Sequence, residues 1–214
     1  MKRRDALRNI GLSFGALVAT PTAFSILQSC KTEPIWSPQF FSEAEGSVVK
    51  KVMDIIIPSS EELPGALDLN IHMFVDQFIL EVVEPEEKEI GKAGLDAFIK
   101  KLLASSQKTE IEKLRSEDIE PVLAEALKKT KEEEIAQFIA IGNYIEATKK
   151  GETAVLDEDT SIFSFLNSLR SLTIWGYKSS EYIGENVLAY TSIPGQQKGC
   201  VSVEEATGGK AWAL

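Results

Sequence analysis

His72 is the only histidine in the chain, and Asp68 and Asp76 stand four residues to either side of it. Positions four apart share a helix face, so a neighbouring carboxylate could orient the imidazole for general-base work. A lone histidine just after a turn is more often a surface or capping residue, and no serine or cysteine lies in a motif that would supply a nucleophile. The cysteines are Cys30 and Cys200. One histidine and two cysteines fall short of the four ligands of a structural zinc site, and the C-x-x-C-H attachment of haem cannot be built. Cys200, in a Gly-Cys-Val setting, reads first as a small packed residue, with a reactive thiol or an intermolecular bridge as the alternative. The acidic runs Glu61-Glu62, Glu86-Glu87 and Glu132-Glu133-Glu134 offer the carboxylate pairs that glycoside hydrolysis needs. They fall on predicted polar helix faces or in loops, where a solvated surface is the better account. No G-x-G-x-x-G or G-x-x-x-x-G-K-S/T follows a predicted strand, and Gly208-Gly209-Lys210 lacks both the spacing and the strand. We therefore assign no catalytic, cofactor-binding or metal-binding residue to this chain.

The N-terminus carries a different kind of chemistry. Met1 to Arg8 is basic, with Arg3 and Arg4 adjacent, and an apolar stretch from Ile10 to Leu27 follows, interrupted by Gly11, Gly15 and Pro21. This is the layout of a secretory signal. It resembles the twin-arginine pattern, with Leu7 and Arg8 in the expected places, although Ala6 replaces the usual phenylalanine and Lys2 the usual serine or threonine. Leu27-Gln28-Ser29-Cys30 resembles a lipobox, with Gln28 bulkier than the common choice, so Cys30 is the expected lipidation site. The competing reading is an uncleaved anchor, since about 18 apolar residues just span a bilayer. Either way the positive flank stays inside and the domain is expected outside the cytoplasm. A twin-arginine signal, as that resemblance implies, serves proteins exported already folded. On a chain without a cofactor motif, it suggests a signal that also exports a cofactor-binding partner.

The elements behind this segment read as helices. Residues 1–29 are the expected signal, 30–41 a linker with Pro34 and Pro38, and 42–214 a single domain of ordinary size. With 43% apolar and 26% charged residues, the chain has the composition of a folded globular protein. Its net charge of −10 grows more negative once the basic N-terminus is removed, which disfavours nucleic acid and anionic membrane surfaces as partners. Ser42-Glu43-Ala44-Glu45 predicts a capping box opening a helix that buries Val48, Val49, Val52, Met53 and Ile56 and ends at Pro58. Past the turn-rich stretch Ser59 to Asp68, a second helix is expected from Leu69 to Val83, with Ile71, Phe74, Val75, Phe78, Ile79 and Val82 on one stripe. Further amphipathic helices carry Ile90 to Leu103, Val122 to Leu127, and Ile135, Phe138, Ile139 and Ile145. Ser161 to Trp175 is the most apolar and is expected at the centre. Nothing alternates with period two for long. The predicted fold is all-α, an irregular bundle of about six helices with a loop-rich aromatic C-terminal tail whose aromatics are expected to pack. Trp175, Tyr177, Tyr182 and Tyr190 are the candidate partner interface, since aromatics anchor interfaces, with core packing as the alternative.

Two segments point to a family: Asp54-Ile55-Ile56-Ile57-Pro58 with Pro64-Gly65-Ala66, and the run from Phe163 through Leu169-Arg170, Leu172-Thr173, Gly176-Tyr177-Lys178-Ser179-Ser180-Glu181, Tyr190 and Pro194-Gly195 to Gly199-Cys200-Val201. With the R-R-D-A-L signal they resemble the gluconate 2-dehydrogenase subunit 3 family. Lys178 stands where members usually carry a second aromatic. The resemblance implies a small subunit without a cofactor of its own, partnered by a large subunit that binds FAD in an exported sugar or alcohol dehydrogenase, with a haem c protein as electron acceptor. It transfers no catalytic residue to this chain. The alternative is a free-standing helical envelope lipoprotein with a binding or scaffolding role.

Overall fold

The structure is a computed structural model describing residues 36–191, 195 and 199–213; Arg3, Arg4 and Cys30 lie outside the described residues. Residues from Pro38 onward form one compact unit. Among the described residues all regular structure is helical, apart from a single bridge between Ala189 and Trp212, as the apolar periodicity predicts. Six longer helices make up the bundle: α1 (Glu43–Ile56), α2 (Ile71–Glu81), α3 (Pro85–Ser106), α4 (Ser116–Leu127), α5 (Lys131–Lys149) and α6 (Glu158–Ser179). Two short helices follow, α7 (Glu181–Asn186) and α8 (Val203–Thr207). No described helix is long and apolar enough to cross a membrane.

Local chemistry sets the helix starts. The Ser42 amide donates to Glu45 Oε2 at 2.8 Å, while the Glu45 amide donates to Ser42 Oγ at 3.3 Å, the reciprocal box read from the sequence. Thr130 and Glu133 repeat it at α5, with amide-to-side-chain distances of 2.7 and 3.2 Å. Asp157 caps α6 by accepting from the Thr160 amide at 2.9 Å. The second helix begins two residues later than its periodicity suggests because Asn70 takes a left-handed conformation, φ 55°, which an α-helix cannot include.

Helix α6 touches every other helix from α1 to α5 and also α7. Its buried face, Ile162, Phe163, Phe165, Leu166 and Leu169, is the centre of the core, as the apolar density of this stretch predicts. Its main partner is α3, through Leu95, Phe98, Ile99 and Leu102. Side chains of this size each contribute about 2 kcal/mol on burial. The two backbones approach most closely at Gly94, where a Cβ would lie 2.2 Å from the Ser161 carbonyl oxygen.

Two expectations change. The end of the linker is part of the domain: Phe41 is buried in the core and Phe40 packs edge-on against it at 5.0 Å. Helix α5 has no buried residue, so the simple amphipathic reading fails there. Ile135, Phe138 and Ile139 are all at least half exposed, because α5 carries apolar side chains around its circumference and the bundle covers only one side.

Candidate partner interface

The residues with chemical potential are engaged in holding the fold. Asp76 is buried, and its carboxylate accepts the backbone amides of Gln39, Phe40 and Phe41 at 2.7, 3.1 and 3.2 Å. It pins the chain entering the domain onto α2. Asp68 accepts from the Ser59 hydroxyl and from the Gly65 amide, the latter at 2.7 Å, which closes the Ser59–Asp68 loop and lowers its pKa through the Ser59 bond first. Both carboxylates flanking His72 thus organise backbone.

His72 itself is 5% exposed, so the surface or capping reading of this position is corrected. Burial first, then the charge of Lys50, pushes its pKa down to about 4 against the opposing pull of Asp76. The imidazole is neutral at pH 7. A histidine whose folded pKa lies below its unfolded value of 6.5 contributes stability that is complete above that value and is lost as pH falls toward the folded pKa. Stability should therefore fall by about 2 kcal/mol between pH 6.5 and 4 from this group. The carboxylates with lowered pKa values, Glu45, Asp118 and Asp157 among them, contribute losses at still lower pH. Urea midpoints measured across this window should slope for the native chain and flatten for His72→Gln; equal slopes would assign the effect elsewhere.

The acidic runs are mostly placed as the sequence suggests, with Glu86 and Glu134 half-buried as exceptions. Glu61, Glu62, Glu87, Glu132 and Glu133 are exposed, and Glu133 is a cap. Among the described residues no three His, Cys, Asp or Glu side chains gather as metal ligands. Cys200 is exposed with a free thiol, which corrects its reading as a packed residue.

The four candidate interface aromatics fall at the α6–α7 end and along the tail. Trp175, Tyr182 and Tyr190 are 43%, 45% and 55% exposed. Among its described residues the tail lays down one bridge, with the Ala189 amide donating to the Ala211 carbonyl at 2.8 Å and the Ala213 amide to the Ala189 carbonyl at 2.9 Å. Its described aromatics Tyr182, Tyr190 and Trp212 stay about half exposed, contrary to the expectation that they pack. Tyr177 differs: its hydroxyl donates to the Pro64 carbonyl at 2.8 Å, and burial raises its pKa, helped by Tyr182 and Asp68 nearby.

Trp175 stands in a cluster that sequence reasoning did not assemble. Its indole lies 5.3 Å from the Phe74 ring and 5.4 Å from the Phe78 ring, and the two phenylalanines are 5.7 Å apart. These separations suit edge and tilted aromatic packing, yet Phe74 remains 37% exposed. Gly176 lets α2 in: a Cβ there would meet Phe74 Cδ1 at 2.8 Å and Ile71 Cγ2 at 3.0 Å. The two segments singled out in the sequence therefore meet in one place, where Tyr177 ties the Pro64 loop to α6 and Gly176 seats α2 beneath Trp175. Phe78 continues into a groove of about 390 Å³ walled by Ile79, Phe138, Ile141, Ile145 and Leu172. The available signal was Phe74 and Phe78 at i and i+4 within a stripe too wide for a single contact face.

Such a site offers aromatic and aliphatic surface, with Glu87, Lys88 and the α6 residues Ser164, Asn167, Ser168 and Ser171 as the polar part of the groove lining. The class defined by fold and site is a small all-α domain with a half-exposed aromatic ridge beside an apolar groove. The family model for gluconate 2-dehydrogenase subunit 3 matches residues 43–195, and the chain belongs to that family. The family name describes one subunit of a multi-subunit dehydrogenase. No curated protein and no solved structure matches the chain.

Proposed function

We propose that this chain is the non-catalytic accessory subunit of a periplasmic, membrane-associated, FAD-dependent sugar or alcohol dehydrogenase of the gluconate 2-dehydrogenase type. It supports export, assembly and tethering of the flavoprotein subunit. Family membership over residues 43–195 carries this reading. It is supported by the Phe74–Phe78–Trp175 ridge, since exposed aromatic clusters suit interface anchors, and by the Arg3-Arg4 segment, whose resemblance to a signal for folded cargo suits a chain that travels with a loaded partner. The flavin belongs to the large subunit and haem c to a third protein. Cys30 holds the lipid on the periplasmic side of the membrane. The substrate of the complex need not be gluconate.

Deleting Met1 to Cys30 tests the export role. Flavin-dependent dehydrogenase activity should then remain in the cytoplasmic fraction. Normal recovery of that activity outside the cytoplasm would overturn the proposal that one signal serves both proteins.

A further inference from the structure

We draw no further inference here: the strongest candidate, the groove of about 390 Å³ between α2, α3, α5 and α6 with Phe40, Phe78 and Phe138 in its walls and Ser164, Ser168 and Ser171 along α6, adjoins the aromatic ridge already described, and nothing in the structure shows what covers it.

Discussion

Gly94→Ala should lower the melting temperature by about 10 °C, since an added Cβ there makes the closest clash of any glycine among the described residues. The new Cβ would fall 2.2 Å from the Ser161 carbonyl oxygen and 2.8 Å from Phe165 Cβ. The clash is with backbone, so no side-chain rotation relieves it, and α3 must move off α6. Overpacking a core contact costs about 1–3 kcal/mol. Here the displaced pair is the main helix contact of the bundle, which places the loss at the upper end, about 3 kcal/mol. Domains are stable by only about 5–15 kcal/mol, so the loss is severe. Gly91→Ala, one turn earlier with nothing within 4 Å of the added atom, is the control and should be stabilising by about 0.5–1 kcal/mol. Thermal unfolding followed by far-ultraviolet circular dichroism separates the two. Equal melting temperatures would mean that α3 and α6 do not approach as described.

Asp76→Ala should cost a similar amount, about 2–4 kcal/mol, because it strands the amides of half-buried Phe40 and buried Phe41, while exposed Gln39 can turn to water. Asn should recover part of the loss. Oδ1 accepts from both Phe40 and Phe41, while Oδ2 accepts from Gln39 alone, so one amide oxygen can keep two of the three bonds. The alanine variant should also release Phe41 from the core and become sensitive to chymotrypsin at Phe40 and Phe41. Retained protease resistance with a native midpoint would show that the three bonds do not hold this segment.

The helical fold was legible because the burial that drives it repeats with the period of the helix. The stripe Val48, Val49, Val52 and Met53 is buried as spaced, and the density of apolar residues after Ser161 placed α6 at the centre. Capping was equally readable at Ser42 and Glu45, since it depends only on residues three apart. What failed were inferences that require knowing what lies opposite. Phe74 and Phe78 belong to the same 3.6-residue stripe as buried Val75, but the stripe is wider than the contact with α6, so its edge forms the exposed ridge with Trp175. Ile135 and Ile139 satisfy the same rule and remain outside for the same reason. His72 is buried, with the charge of Lys50 from α1, far off in sequence, acting on it, and Tyr177 reaches Pro64 across 113 positions. The tail aromatics Tyr190 and Trp212 stay half exposed, their segments joined by one bridge among the described residues.

The legible and illegible parts bear differently on function. The segments that carried the family resemblance, around Pro58 to Ala66 and Gly176 to Tyr177, prove to be one structural joint that sets the position of Trp175. In this fold they hold Trp175 beside Phe74 and Phe78, with Asp68 and Asp76 committed to backbone amides. That arrangement suits a subunit whose task is to hold another protein.

Association with a flavoprotein is the central claim, and affinity purification of the full-length chain from detergent-solubilised membranes, with an absorption spectrum and mass analysis of what co-purifies, tests it most directly. A larger protein should co-purify in stoichiometric amount with the paired near-ultraviolet and blue bands of bound flavin, diminished when Trp175 and Phe74 are replaced by serine. Recovery of the chain alone, without flavin absorbance and with no stoichiometric companion, would contradict it and favour a free-standing envelope lipoprotein.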